Sequence, residues 1–307
     1  MQNKVVILGA GHVGSHVAMS LALGGTAEEI VLVDKLPHKA AAQAADIADS
    51  LSCRGCVPLV CSGDYADCAD AQITVCAIGK AREPGQTRLD LLGDSVRMVR
   101  ELAESLRPAP PQGIVISITN PCDIIAECLR QALGMDRSRC FGTGTLLDTA
   151  RLIRILSEQT GLPRREIDAV ALGEHGDSSM IPFSQLRLDG KHAAEVPGFD
   201  PEDALRRTHQ IGMDIIEGKG STEFGIGQSA AHLIGILLRG ERSVLPLSTV
   251  LQGEYGVRDV PCGVPCRIGP KGIEAIIELP LTPEENVAFN ASIQVLSSYM
   301  QKAYALS

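Results

Sequence analysis

The segment KVVILGAGHVG, from Lys4 to Gly14, decides the fold of this 307-residue chain. Its apolar first half predicts a buried β-strand, and a G-x-G-x-x-G pattern follows directly, ahead of a predicted helix over residues 13–23. Glycines at these places permit a tight turn, close approach of a pyrophosphate to the backbone, and close packing of helix on strand. The segment therefore predicts a dinucleotide-binding β-α-β unit whose phosphate-facing residues are Gly9, Gly11, His12, Val13 and Gly14.

A carboxylate completes this pattern. Asp34 directly follows the second predicted strand, residues 30–33, and lies 34 − 14 = 20 positions after Gly14. An acid at this place can hydrogen-bond the ribose hydroxyls and repels a 2′-phosphate, which favours NAD over NADP. Lys35 beside it argues against a strict preference.

The first half of the chain alternates short β-rich runs with amphipathic stretches, as parallel β-α-β units do. Helices are predicted over residues 13–23, 39–50, 91–106 and 124–133. The predicted strands are residues 5–8, 30–33, 57–61, 73–77, 114–118 and 139–141.

After Gly144 the pattern changes to a mixture of helices and strands. We predict an α/β fold with a parallel-sheet domain over residues 1–144 and an α+β domain over residues 145–307. Helices are predicted over 147–160, 201–217 and 226–238, and another begins at Thr282. The predicted strands are residues 169–173, 183–188, 243–252, 263–268 and 272–279, and a turn is predicted at Asp189-Gly190.

The charge and composition of the chain limit the kinds of binding partner that it can have. The chain has 28 Lys and Arg against 37 Asp and Glu, a net charge of −9, and only 3% aromatic residues. Nucleic-acid binding needs clustered cations and stacking platforms, so we expect a small-molecule partner instead. No apolar run approaches the roughly 18–20 residues that cross a bilayer, and the first strand follows Met1 almost at once, so we expect no membrane association and a cytoplasmic location.

The ten cysteines admit two explanations. Cys53 with Cys56, and Cys262 with Cys266, could together supply four zinc ligands, but neither pair matches a paired C-x-x-C signature. The other explanation is free thiols that fill small apolar gaps in a reducing compartment. We expect free thiols and no metal.

A histidine in a glycine-flanked turn is the candidate for acid–base chemistry. His175 lies in residues 172–178 (LGEHGDS), and a ring of near-neutral pKa suits reversible proton transfer. Residues 142–151 (GTGTLLDTAR) offer a carboxylate, Asp148, and a guanidinium, Arg151, three apart on a predicted helix and therefore on one face. Taken alone, His175 is better explained as a surface or core histidine, and Asp148 with Arg151 as an ordinary surface ion pair.

Together these segments resemble the L-lactate/malate dehydrogenase family, in order and over the whole chain. Residues 118–123 (ITNPCD) resemble its Asn-Pro turn, and residues 81–90 (AREPGQTRLD) its substrate loop. The resemblance implies a Rossmann NAD-binding domain, a catalytic α+β domain, NAD as cofactor and a homodimer or homotetramer.

The resemblance also implies the roles of individual residues. His175 is the expected acid/base, oriented by Asp148, and Arg88 is expected to polarise the substrate carbonyl. Arg151 is expected to grip the C1 carboxylate with two parallel hydrogen bonds. Asn120 is expected to contact substrate and cofactor, and Thr222 to line the pocket that they share.

Two substrates remain open. Arg82 lies six residues before Arg88, where malate enzymes of the family carry Arg and lactate enzymes usually carry Gln. A cation there pairs with the second carboxylate of oxaloacetate but is left unpaired over a pyruvate methyl, so we favour malate. Glu174, Ser178 and Thr222 instead resemble the lactate branch, so L-lactate or another monocarboxylic 2-hydroxy acid is the alternative. Arg82 could also be an exposed loop residue pointing at water.

Two further hypotheses compete with a 2-hydroxy acid dehydrogenase. The chain could be a non-catalytic NAD-binding protein, which the loss of the histidine, its acid or either substrate arginine would favour. It could also be a different Rossmann enzyme, which would leave Asp148, Arg151 and His175 unexplained. All of those residues are present, so we expect an enzyme.

Overall fold

Six parallel strands form one side of a nine-stranded sheet in the computed structural model, which describes residues 3–55, 58–79 and 88–306, and of residues 88–91 the backbone only. Five of these strands are almost wholly buried, as expected for a parallel sheet covered on both faces, whereas the edge strand, residues 59–62, is half exposed. The six strands are β1 (Lys4–Leu8), β2 (Glu29–Val33), β3 (Leu59–Ser62), β4 (Ile73–Cys76), β5 (Ile114–Ser117) and β6 (Cys140–Gly142). Their spatial order is β3-β2-β1-β4-β5-β6, the doubly wound arrangement that the first segment predicts.

Four helices connect these strands, and each starts earlier than its apolar pattern indicates. They are α1 (His12–Gly24), α2 (Pro37–Leu51), α3 (Arg88–Leu106) and α4 (Cys122–Leu133). Gly25 and Gly134 end α1 and α4 in the left-handed conformation, both at φ 64°. Because α4 begins at Cys122, Asp123 lies in its first turn, next to the carboxyl end of β5.

The second half extends the same sheet with antiparallel strands. These are β10 (Ser243–Gln252), β11 (Arg258–Gly269) and β12 (Gly272–Ile276), and β10 joins β6 through the pair Ser248 and Gly142. The backbones come so close there that a Cβ on Gly144, at φ +50°, would lie 2.5 Å from the Ser248 nitrogen. The junction therefore places the start of the second half against the end of the parallel sheet.

Four more helices cover the second half. They are α5 (Leu146–Thr160), α6 (Pro201–Lys219), α7 (Phe224–Leu238) and α8 (Pro283–Ala305). Thr282 and Glu285 form a reciprocal capping box at the start of α8, which satisfies two amides that the helix cannot. The helices of the described residues include none that is long and apolar enough to cross a membrane.

Two predicted strands are wrong. In residues 169–173 only Leu172 and Gly173 form isolated bridges, with Met180 and Gly263, and the chain turns at Gly173, where φ is +93°. Residues 183–188 begin with a 3-10 turn, Phe183–Gln185, after Pro182, whose backbone has no N–H to donate to a ladder. Only Arg187–Leu188 (β8) is strand, and it forms a small sheet with β7 (Ile167–Asp168) and β9 (Lys191–His192).

Two hydrophobic cores hold these layers together. The larger core covers the nine-stranded sheet and contains Phe141 and Phe289, both 1% exposed. The smaller core lies beneath α5 and α6 and includes Leu152, Ile155 and Leu156. Because α5 packs into the second core on one face, its opposite face is free to carry polar groups into the site.

Candidate active site

A cleft opens where the strand order reverses, between β1 and β4, as expected for nucleotide sites in doubly wound sheets. Its volume is about 180 Å³, and its lining includes Gly9, Gly11 and Asp34 as predicted. Backbone approach demands glycine here: a Cβ on Gly9, at φ +104°, would lie 2.5 Å from the Ala77 carbonyl oxygen. A Cβ on Gly14 would lie 1.9 Å from the Gly9 carbonyl oxygen. These glycines therefore shape the turn as the fingerprint predicts.

Asp34 is fixed at the mouth of the cleft. Its Oδ2 accepts a 2.8 Å hydrogen bond from the Ala10 amide, and its Oδ1 accepts one of 3.0 Å from the Leu36 amide. Lys35 beside it is paired with Glu101, whose carboxylate accepts a hydrogen bond from the Lys35 ammonium at 2.5 Å and raises the pKa of Lys35, so this cation is directed away from Asp34. An anchored carboxylate beside an open glycine turn fits the ribose and pyrophosphate of NAD.

The other predicted cofactor residues lie at the start of α1 or after the end of β5. His12 is the first residue of α1, and its exposed ring lies 3.9 Å from a carboxylate oxygen of Glu223. Val13 is half-buried beside it, and Asn120 is exposed at the carboxyl end of β5. Further residues line the cleft in positions that depend on tertiary packing and that no local pattern reveals, among them Lys39, Tyr65, Ile78 and Met98.

The structure brings the predicted His175, Asp148 and Arg151 together. The Nδ1 atom of His175 lies 2.6 Å from Oδ2 of Asp148, and Nη1 of Arg151 donates to Oδ1 of the same carboxylate at 3.2 Å. Asp148 is buried, and the side chains of His175 and Arg151 are 22% and 13% exposed. One buried carboxylate thus links an imidazole and a guanidinium at the edge of the site.

The charges of these three residues shift the pKa values of His175 and Asp148 in opposite directions. Attraction by Asp148 raises the pKa of His175 to about 9 against the opposing effect of burial. Burial favours protonation of Asp148, but His175 and Arg151 outweigh it and hold the pKa of this carboxyl below its usual range. The pair therefore favours an imidazolium facing a carboxylate at neutral pH.

The chain around His175 is anchored from several elements. The Gly173 amide and carbonyl pair with Gly263 of β11, at 2.9 and 2.8 Å. Ser292 of α8 accepts a 2.8 Å hydrogen bond from the Glu174 amide, and Asp123 of α4 accepts one of 2.9 Å from the His175 amide. None of these anchors was identified from the sequence, although Asp123 lies in the quoted Asn-Pro segment.

The remaining predicted residues are only partly described. Thr222 is half-buried between α6 and α7. Its neighbour Glu223 accepts hydrogen bonds from Lys219 and Ser221. Both bonds lower the pKa of Glu223, to about 2, and the bond from Lys219 has the larger effect. Arg82 and the side chain of Arg88 lie outside the described residues, so their predicted contacts remain predictions.

Cysteines do not assemble a metal site in the described part of the chain. Cys262 and Cys266 have buried thiols within β11, Cys53 is exposed after α2, and Cys56 lies outside the described residues. Among the side chains of residues 3–55, 58–79 and 92–306 there is no group of three or more His, Cys, Asp or Glu that could hold a metal ion.

Comparison with known proteins agrees with this geometry. Residues 3–142 match the family description "lactate/malate dehydrogenase, NAD binding domain", and residues 145–307 match "lactate/malate dehydrogenase, alpha/beta C-terminal domain". L-lactate dehydrogenase of Fusobacterium nucleatum is 37% identical, over 99% of this chain and 98% of that protein. L-lactate dehydrogenase of Mesoplasma florum is 36% identical, over 98% and 97%.

Solved structures show the same similarity in three dimensions. A lactate dehydrogenase from a Medee basin deep-sea metagenome library superimposes with a TM-score of 0.95 at 30% identity, covering 99% of both chains. The minor L-lactate dehydrogenase of Enterococcus mundtii gives 0.94 at 33% identity, covering 98% of both. This chain belongs to the lactate/malate dehydrogenase family and is an NAD-dependent 2-hydroxy acid dehydrogenase.

Proposed function

We propose that the chain interconverts L-lactate and pyruvate. The arrangement of His175, Asp148 and Arg151 carries the acid–base and carboxylate chemistry of a 2-hydroxy acid. The choice of lactate is supported by the relatives, since the two similar proteins from Fusobacterium nucleatum and Mesoplasma florum are L-lactate dehydrogenases matched over nearly their whole length. This revises the preference for malate that Arg82 suggests.

His175 acts as the acid and base. Because Nδ1 faces Asp148 at 2.6 Å, Nε2 is the ring nitrogen that exchanges a proton with the substrate oxygen. The raised pKa of about 9 keeps the ring protonated at neutral pH, ready to donate to the keto oxygen of pyruvate. Neutral His175 accepts the hydroxyl proton of lactate in the reverse direction.

Arg151 binds the C1 carboxylate. Its guanidinium lies beside Gly212 of α6, where a Cβ would be in ordinary van der Waals contact, 3.5 Å from Nη1. A guanidinium offers two parallel donors to a carboxylate, which a lysine ammonium does not. Arg88 and Asn120 are assigned to polarising and positioning the carbonyl, and Thr222 to lining the pocket.

NAD has its site in the cleft between β1 and β4 and, when bound as NADH, supplies the hydride. Gly9, Gly11 and Gly14 shape the turn, the first amides of α1 (His12 and Val13) would donate to the pyrophosphate, and Asp34 would accept hydrogen bonds from the ribose hydroxyls. These assignments rest on the open glycine turn and the anchored Asp34 carboxylate.

Malate remains the second candidate because of Arg82. An arginine at this loop position pairs with the distal carboxylate of oxaloacetate, and pyruvate leaves it without a partner. Initial rates of NADH oxidation with pyruvate and with oxaloacetate, each varied, decide between the two. We expect a higher kcat/KM for pyruvate; an excess for oxaloacetate that Arg82→Gln reverses would establish the malate assignment instead. Inactivity with both substrates would refute both assignments.

The wider organisation is also proposed. We infer an NAD-binding domain over residues 1–144 and a catalytic domain over 145–307, in a cytoplasmic homodimer or homotetramer that binds neither nucleic acid nor membrane. The domain boundary is supported by the turn between β6 and α5 at Gly144. Light scattering coupled to size exclusion measures the oligomer.

A further inference from the structure

Asp123 is a buried carboxylate that the proposed mechanism leaves unused. It is 2% exposed in the first turn of α4, and its Oδ2 accepts the His175 amide at 2.9 Å. Among the described residues, its Oδ1 has no well-formed hydrogen bond, and neither has Oγ of the nearby Ser248. A buried anion that one amide holds, with only the Ser248 hydroxyl near its other oxygen and no well-formed bond between them, is costly for the fold, so this position calls for a functional explanation.

The adjacent amide shows that anchoring the loop does not require a charge. Ser292, a neutral residue that is fully buried, accepts the Glu174 amide at 2.8 Å. Asp123 performs the same task one residue further along, but with a carboxylate. A neutral acceptor would therefore be enough to hold the backbone, and the negative charge of Asp123 needs another explanation. The residue next to it whose charge changes during the reaction is His175.

We propose that Asp123 is a positioning residue for the acid–base step. It fixes the backbone of His175, so that the ring reaches Asp148, and its negative charge stabilises the imidazolium together with Asp148. This inference rests on the proposed role of His175. It assigns His175 two carboxylates: Asp148 on the ring and Asp123 on the main chain.

The surrounding charges are consistent with this role. Burial raises the pKa of Asp123 to about 6, and the Ser248 hydroxyl, the His175 amide and the imidazolium oppose that rise. The other titratable groups that interact with Asp123, His175 or their neighbours are Glu174 on the loop, Cys122 on α4, Cys262 on β11, and Asp148 with Arg151 on α5. Asp123 in turn contributes to the raised pKa of His175.

The sign of the stability effect separates this role from a merely structural one. A carboxyl group whose pKa is higher in the folded state is stabilising when protonated, so its contribution is lost as pH rises through about 6. Asp123→Asn removes the buried charge at pH 7.5, keeps an acceptor for the His175 amide, and offers a donor to Ser248. We therefore expect its melting temperature to equal or exceed that of the wild type.

The expected effect on catalysis is opposite in sign. At pH 7.5 the kcat for pyruvate reduction should fall about three- to tenfold in Asp123→Asn, with little change in KM, because Arg151 still binds the substrate carboxylate. The wild-type rate should fall as pH decreases through about 6 and converge on that of the variant. Asp168→Asn, an exposed change on β7 with the same loss of charge, should leave rate and profile unchanged.

A measurement without turnover completes the test. The imidazole of His175 is titrated by NMR in the apoenzyme, its signal assigned by its disappearance in His175→Asn. We expect Asp123→Asn to lower the pKa of His175 by roughly half a unit or more. An unchanged pKa with unchanged kcat overturns the inference, as does a loss of activity that merely parallels a loss of melting temperature. A wild type that reduces no 2-keto acid overturns the proposed function instead, and the NMR titration still tests whether Asp123 supports the imidazolium.

Discussion

The cofactor cleft and the catalytic centre differ in the groups that they present to their ligands. In the cleft, backbone groups predominate: a turn built on Gly9 and Gly14 leaves no room for side chains, and Asp34 is fixed by two amides. In the catalytic centre, charged side chains are brought together away from water, which raises the pKa of His175 to about 9 and lowers that of Asp148. The cleft should therefore be sensitive to added volume, and the catalytic centre to lost charge.

The largest effect should follow loss of charge at Asp148. Asp148→Asn keeps the size of the side chain but removes the anion that stabilises the imidazolium and selects its tautomer. We expect kcat for pyruvate reduction to fall about 10³-fold, while NADH affinity, measured by fluorescence titration, stays within about threefold. A variant that retains wild-type kcat would contradict the assigned role of Asp148.

Added volume in the cleft should give the converse result. In Gly14→Val the new Cβ would lie 1.9 Å from the Gly9 carbonyl oxygen, so the turn must deform. We expect NADH affinity to fall about 100-fold or more, with a lower melting temperature, since overpacking costs about 1–3 kcal/mol or more. Gly24→Ala is the matched control, because a Cβ there meets nothing within 4 Å; both quantities should remain unchanged.

The pH dependence should distinguish the two directions of the reaction. With the pKa of His175 raised to about 9, kcat/KM for reduction should be level at neutral pH and fall up to tenfold per unit above about pH 9. Oxidation needs the neutral ring, so its kcat/KM should rise over the same range. Parallel profiles in both directions, measured by NADH absorbance at constant ionic strength, would exclude His175 as the titrating group.

The two regions also differ in how far sequence predicts them. The cleft follows from a local pattern, because G-x-G-x-x-G and Asp34 lie within one β-α-β unit. Asp148 and Arg151 share a helix face, but their link to His175 depends on tertiary packing and was expected from family resemblance. Asp123 was missed because its importance arises only when α4 contacts a loop 52 residues further along the chain.

Errors in secondary structure have a similar origin. The apolar run at residues 183–188 predicts a strand, yet Pro182 and the packing of Phe183 against the smaller core impose a 3-10 turn. Lys35 was expected to weaken the preference for NAD, but its ammonium is paired with Glu101. This partner lies 66 residues further along the chain, so no local pattern reveals it.

The contact between Asp123 and His175 joins the two halves of the polypeptide at the reacting histidine. A protein cut in the turn at Gly144 would separate Asp123 from both Asp148 and His175. The amino-terminal fragment would keep the glycine turn of the nucleotide cleft, and the carboxyl-terminal fragment would keep His175 with Asp148. Each fragment alone should therefore be inactive. Reassociation of the two fragments should restore turnover, which makes this enzyme a natural candidate for complementation assays that report proximity.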